Sequence, residues 1–375
     1  MSSANLPASV RTYDPQQVVR ESLRRTHAYT PAVIPDETPS RLIKLDMNES
    51  PYGPSPKTRA ALAAFSETNR YPDFGQAELR AAIGTYVGRD PDSIICGAGL
   101  DDVLNTTMHA IIAPGDEVII SDPTFGVYRL LVSLYDGVIV NVPLDEEFRL
   151  RPQAILEAVT ERTKLIIICT PNNPTGNTLD PDAIETIVRE SGCLVAIDEA
   201  YAEFSRTSSI GLMDRYPNVA IFRTMSKFAG LAGMRVGYGV YQPDLAALLA
   251  PAIPAFHNVS LISRAAAIAA LDDLEYLNGV VDRIVADRET LAANLAEIPG
   301  VEPLPSATNF ILMRLPVDDA KPVVGELARR GIFVRDFPGA NSGLRRSLRV
   351  TVGASEDNEV FLNELDAILA SMRSN

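Results

Sequence analysis

Between residues 94 and 240 the chain alternates short apolar runs with amphipathic stretches. The apolar runs cover 94–96, 117–121, 138–142, 164–170, 193–198, 219–223 and 235–240. Apolar residues spaced three and four apart over 101–112, 152–159 and 181–190 predict helices in several of the gaps. This alternation predicts an α/β fold with a mostly parallel sheet. The last two runs follow each other closely, so an antiparallel strand is expected among the parallel ones.

Past Pro254 the pattern changes. Residues 260–297 are Ala-rich and read as long helices, followed by a strand at 308–313, a helix at 321–330, a strand at 348–352 and a final helix at 356–372. This predicts a second, smaller α+β domain. At the other end Pro31, Pro35 and Pro39 keep the stretch before Arg41 from becoming regular. Residues 1–40 therefore read as an extended arm with one short helix. The expected division is a large domain over 46–258, and a small one from 259–375 completed by residues 1–45.

Composition mainly excludes. With 46% hydrophobic and 22% charged residues in 375, the chain has ordinary globular composition. Its 34 Lys and Arg against 48 Asp and Glu leave a net charge of −14, which disfavours nucleic acid and anionic membranes as partners. Cys96, Cys169 and Cys193 sit in or beside apolar runs without C-x-x-C spacing. They read as buried small hydrophobes in a reducing compartment rather than as zinc ligands or a redox pair. Three histidines, His27, His109 and His257, show no H-x-x-x-H spacing, so no metal site is expected. The first residues lack the apolar core of a signal peptide, and no run of about 18 apolar residues occurs. The expectation is a soluble, cytoplasmic protein.

Four segments place polar residues where strands of a parallel sheet end, the edge at which such sheets bind ligands. Gly97-Ala98-Gly99-Leu100-Asp101 joins a strand to a helix, and the helix start offers free N–H groups to a phosphate. Asp102 stands where a dinucleotide fingerprint would have its third glycine, so alone the segment reads as a tight turn. Thr170-Pro171-Asn172-Asn173-Pro174-Thr175-Gly176 is an irregular loop that either presents the Asn173 amide to a ligand or simply enters the next helix. Ile197-Asp198-Glu199-Ala200-Tyr201 ends a strand in a carboxylate, which is costly to bury without a cation; a protonated pyridine nitrogen would serve. In Thr224-Met225-Ser226-Lys227, a lysine at a buried strand end is placed for a lowered pKa and for attack on a carbonyl. Ser226 and Arg235 could hold a phosphate at the same time; taken singly, Lys227 and Arg235 read as ordinary surface residues.

In this order, with Asn48-Glu49-Ser50-Pro51, Asn69-Arg70-Tyr71-Pro72, Asp122-Pro123-Thr124-Phe125 and Leu348-Arg349-Val350-Thr351-Val352-Gly353, the set resembles the fold-type I, aspartate-aminotransferase-like enzymes of pyridoxal 5'-phosphate (PLP). Within them it looks most like the histidinol-phosphate aminotransferase branch. The resemblance runs from about Leu45 to the C-terminus and implies the PLP-dependent transferase fold type I. It implies that Lys227 carries the cofactor as a Schiff base and moves the proton, and that Asp198 keeps the pyridine nitrogen protonated. Tyr201 and Asn173 would hydrogen-bond the ring hydroxyl oxygen, and Phe125 would stack on the ring where the family more often has Tyr. The N–H groups of Leu100 and Asp101, the hydroxyls of Thr224 and Ser226, and Arg235 would hold the phosphate. Tyr71 would reach the phosphate of the neighbouring subunit in a homodimer. Arg349 would take a substrate carboxylate by a bidentate pair, Arg335 a substrate phosphate, and Tyr29 is the arm's candidate substrate-facing residue. The implied activity is transamination between histidinol phosphate and 2-oxoglutarate. A transaminase for aromatic or other amino acids, and a decarboxylase of the threonine-phosphate type, share nearly every cofactor residue. A PLP-binding regulator would need a DNA-binding domain before the resemblance begins, and a nicotinamide dehydrogenase would leave Lys227 without a role.

Overall fold

The structure is a computed structural model that describes residues 14–25, 42–253, 258–337 and 343–373. Seven strands form the central sheet, in the order Ile94–Ala98, Val236–Val240, Val219–Thr224, Leu194–Asp198, Thr163–Cys169, Glu117–Ile120, Val138–Asn141. All neighbours pair in parallel except around Val236–Val240, which is antiparallel to both of its partners. The expected antiparallel strand is therefore this one. Its short return from the preceding strand needs no crossover helix.

The middle strands read as unbroken apolar runs because both faces are covered. Leu165 to Cys169 and Val195 to Asp198 are buried at every position, as expected of a parallel sheet sandwiched by helices. Helices Leu100–Ile111, Pro152–Glu157 and Pro181–Glu190 stand where the periodicity puts them, within two residues at either end.

The C-terminal part is built on a smaller antiparallel sheet with Ser347–Thr351 at its centre, flanked by Phe310–Arg314 and Arg335–Asp336. The long helices are Leu261–Leu271, Leu274–Ala296 and Ser355–Arg373. Ile43–Lys44 pairs with Ile332–Phe333 in parallel, and the Thr351 N–H donates to the Leu45 carbonyl at 2.8 Å. The chain ahead of residue 46 is thereby tied to the C-terminal sheet. The arm differs from expectation in having two short helical turns, Pro15–Val18 and Glu21–Arg25. The second packs against helix Val127–Leu134, a tertiary contact that local pattern does not announce.

One glycine sets the geometry of the ligand edge. A Cβ on Gly237 would lie 2.3 Å from the Leu100 nitrogen and 2.5 Å from the Gly99 carbonyl carbon. Only a bare backbone lets the start of helix Leu100–Ile111 rest directly on strand Val236–Val240. Both neighbours are backbone and cannot swing aside. Gly237→Ala is expected to cost about 1–3 kcal/mol of stability, measured by urea unfolding. It should also displace the helix start from the cavity described next.

Candidate functional site

The C-terminal edges of strands Thr163–Cys169, Leu194–Asp198 and Val219–Thr224 open into a cavity of about 660 Å³. Its lining includes Leu100, Asp101, Phe125, Asn173, Asp198, Tyr201, Thr224, Ser226, Lys227, Arg235 and Arg349. Eleven of the fourteen residues singled out from the sequence thus converge on one site. Tyr71 is outside it and 86% exposed. Arg335 does not line the cavity, and Tyr29 lies outside the described residues.

Asp198 defines the floor. It is 2% exposed, with Oδ2 accepting from the Tyr128 hydroxyl at 2.5 Å and Oδ1 from the Ala200 N–H at 3.0 Å. Burial pushes its carboxyl up to about 6, while those hydrogen bonds pull the other way. Both donors are neutral, and among the described residues no cation lies close enough to pair with it. A buried carboxylate so placed is complementary to a protonated ring nitrogen.

One end of the cavity is built for an anion. Helix Leu100–Ile111 starts there, with Gly99 at its N-cap and no side chain occupying the first N–H groups. The Arg235 guanidinium packs over Gly99, whose Cβ would sit 2.2 Å from it. Arg235 donates to Ser226 Oγ at 3.5 Å and faces the Asp101 carboxylate at 3.4 Å. Ser226 Oγ also accepts from the Thr224 hydroxyl at 3.0 Å. A helix N-terminus, two hydroxyls and an arginine converging within one corner suit a phosphate group. Asp102, at the missing third glycine, instead caps the turn by accepting from the Ala98 N–H at 2.9 Å.

Lys227 is half-buried and its Nζ donates to the Met47 carbonyl at 2.9 Å. Burial, then the charges of Arg349 and Arg235, push its amine down to about 8, while Glu49 and Asp101 oppose them. Tyr201 accepts from the Asn48 side-chain amide at 2.8 Å, and its ring stands edge-on to Phe310. Burial holds its hydroxyl protonated far above the usual range. Arg349, 7% exposed, donates to Asn173 Oδ1 at 2.6 Å and to the Asp46 carbonyl, with its guanidinium 5.2 Å from the Phe310 ring. The Asn173 oxygen is thus committed to Arg349, so what Asn173 offers a ligand is its N–H donors. Arg335 lies directly across from Arg349 in the antiparallel register, which puts the two on the same face of the small sheet.

Three participants were not assigned by sequence reasoning. Asn48, at φ 53 and 2% exposed, links Tyr201 to the C-terminal sheet through the Thr351 hydroxyl and the Asn309 amide. An asparagine before Glu49-Ser50-Pro51 is the available signal, since asparagine tolerates left-handed backbone. Tyr128 follows Phe125 by one helical turn, a spacing that marks a shared face but no role. Met47 acts through its carbonyl, which no side-chain reading can find.

Known proteins resemble this chain along most of its length. The family model for aminotransferase class I and II matches residues 40–366. A histidinol-phosphate aminotransferase of Roseiflexus castenholzii is 40% identical, over 97% of this chain and 100% of its own length. One of Dehalococcoides mccartyi is 38% identical over 94% of this chain and 98% of its own. The crystal structure of histidinol-phosphate aminotransferase from Sinorhizobium meliloti, in complex with pyridoxal 5'-phosphate, superposes with a TM-score of 0.82 at 29% identity, covering 88% of this chain and 91% of that one.

The lowered amine yields a pH prediction. Below about 8 Lys227 is mostly ammonium, so its nucleophilic fraction should rise about tenfold per pH unit and level off above that value. Ordinary lysines keep rising to about 10.4. Acylation of the cofactor-free protein by a small neutral reagent, read by peptide mass spectrometry against pH, should show Lys227 levelling off first. A profile like that of surface lysines would contradict the assignment.

Proposed function

The chain belongs to the class I and II aminotransferases, and we propose that it is the histidinol-phosphate aminotransferase type, exchanging an amino group between histidinol phosphate and 2-oxoglutarate. The protein is a PLP-dependent transaminase of fold type I, acting on amino acid and 2-oxo acid substrates. What supports the finer substrate reading is the Arg335–Arg349 register, together with the names of the 38–40% identical relatives. The register brings two guanidinium groups to one face of the small sheet. Two arginines answer two anions, the phosphate of one substrate and the carboxylate of the other.

The bound cofactor supplies an electron sink for the substrate carbon that loses its proton. The chain's residues do the rest. Asp198 would hold the proton of the ring nitrogen, and Phe125 would cover a ring face. The Leu100 and Asp101 N–H groups, Thr224, Ser226 and Arg235 would hold the phosphate, and Asn173 and Tyr201 the ring hydroxyl oxygen. Lys227 would hold the cofactor at its carbonyl carbon, and its Nζ is the cavity amine suited to take a proton from the substrate carbon and return it. Its pKa near 8 leaves a fraction of it as free base at neutral pH. Arg349 fixes the carboxylate by its fork of donors.

The same reading extends to assembly. Tyr71, with Phe74 at 71% and Leu248 at 77% exposure, supports a homodimer in which Tyr71 completes the neighbouring phosphate site. Residues 46–258 form the large domain; 1–45 and 259–375 form the small one, supported by the tie of Ile43–Lys44 to Ile332–Phe333. Tyr29 is the arm's candidate for contact with substrate. Three buried, unbridged cysteines suit the cytoplasm. Among the described residues no helix is long and apolar enough to cross a membrane.

The test is a pair of half-reactions followed by absorbance. Histidinol phosphate and glutamate should each convert the PLP form to the pyridoxamine form, and Lys227→Ala should show no multiple turnover. Arg335→Lys keeps charge but loses the fork. It should slow the histidinol-phosphate half-reaction roughly tenfold, about 1.4 kcal/mol, and the glutamate half-reaction much less. A spectral response to aromatic or other amino acids but none to histidinol phosphate would overturn the substrate reading. Carbon dioxide release without an acceptor would instead indicate a decarboxylase.

A further inference from the structure

Tyr128 does not line the cavity, yet it makes the shorter of the two hydrogen bonds to the carboxylate on its floor, 2.5 Å against 3.0 Å. Its ring is fully buried and stands edge-on to Phe125, with centroids 5.6 Å apart and planes at 85°. Helix Val127–Leu134 begins one residue before it. A single turn of chain therefore carries both the residue facing the cavity and the donor to Asp198. Resting on the PLP reading of the cavity, we propose that Tyr128 is a positioning residue for the cofactor. Its hydroxyl keeps Asp198 ionised and turned so that the carboxylate meets the ring nitrogen of bound PLP.

The chemistry of the donor carries the argument. A lysine or arginine at this place would also favour ionised Asp198, but it would supply a permanent cation and compete with the ring nitrogen for the carboxylate. A phenol offers one proton and no charge. It stabilises the anion without neutralising it. Burial and the nearby Asp198 charge hold the Tyr128 hydroxyl well above its usual range, so it remains a donor. Among the described residues, the main titratable influences on Asp198 bring no positive charge. Cys169 stands opposite it in the parallel register, and burial keeps that thiol protonated. Tyr201 is likewise held neutral, and Asp101 and Glu199 are themselves carboxylates that raise Asp198. The positive charge complementary to Asp198 is left to the ligand.

The test compares two cofactors on the cofactor-free protein: PLP, and its 1-deaza analogue in which C–H replaces the ring nitrogen. Tyr128→Phe removes the hydroxyl and keeps the ring volume. It should weaken PLP about ten- to hundredfold and leave the affinity for the analogue almost unchanged, because the analogue has no protonated nitrogen for Asp198 to meet. In an Asp198→Asn background the same substitution should cost PLP no further affinity. Equal weakening of both cofactors would mean that Tyr128 only packs, and unchanged PLP affinity would mean that it does nothing; either overturns the proposal. Replacing Tyr128 by 3-fluorotyrosine preserves packing and strengthens the donor, so it tests the same point if the phenylalanine variant does not fold. It should lower the pH below which PLP affinity falls, and an unmoved profile counts against the proposal. Wild-type protein that binds no PLP would overturn the cofactor reading itself, before any variant is made.

Discussion

A carboxylate 2% exposed at the end of a central strand, hydrogen-bonded among the described residues only by neutral donors, is an unfinished electrostatic arrangement. Desolvating one ion costs several kcal/mol unless an opposite charge comes with it. At Asp198 the backbone N–H of Ala200 and the phenol of Tyr128 lower part of that cost and supply no charge. The remainder is met by whatever binds the cavity. Much of the site follows from this requirement. Phe125, the corner around Arg235 and Lys227 all line the same cavity as Asp198.

The next residue along the chain provides an internal comparison. Asp198 and Glu199 are adjacent, so their side chains leave the strand end on opposite sides. Glu199, 1% exposed, accepts from Arg223 at 3.0 and 2.8 Å, from the Ser208 hydroxyl at 2.8 Å and from the Ser209 N–H. Here the protein supplies the cation itself. Glu203 approaches the same arginine at 4.0 Å and, pushed up to about 7 by burial, shares one guanidinium with Glu199. Breaking one partner of such a buried pair typically costs about 3–5 kcal/mol. The pair bridges the ends of two neighbouring strands, whose opposite sides present Asp198 and Thr224 to the cavity. One side is electrostatically closed and rigid, and the other is left open for a ligand.

The sheet was legible because its strands are buried on both faces and leave unbroken apolar runs, bounded by polar residues that line the cavity. Lys227, Asp198 and Arg235 could be singled out since each sits at a strand end where its type is locally costly. Residues that work through other residues were silent. Tyr128 and Asn48 satisfy ordinary packing rules, and their roles arise from contacts 70 and 153 positions away in sequence. The arm's second helical turn was missed for the same reason, since its support is helix Val127–Leu134 rather than its own composition. The Arg335–Arg349 register also escaped pattern reading. Two-residue strands such as Arg335–Asp336 carry no periodicity, and pairing alone defines them.

The cations that recruit anions also set the base strength of the lysine. After burial, the Arg349 charge is the largest influence lowering the Lys227 amine, and Arg235 adds to it. An anion seated on either arginine cancels part of that field at short range, where solvent screening over about 8 Å has little effect. Such an anion would thus weaken one of the influences that lower the Lys227 amine. In a chain of net charge −14, Arg235 and Arg349 thus do two things at once. They make the cavity suited to anions, and their charge lowers the Lys227 amine.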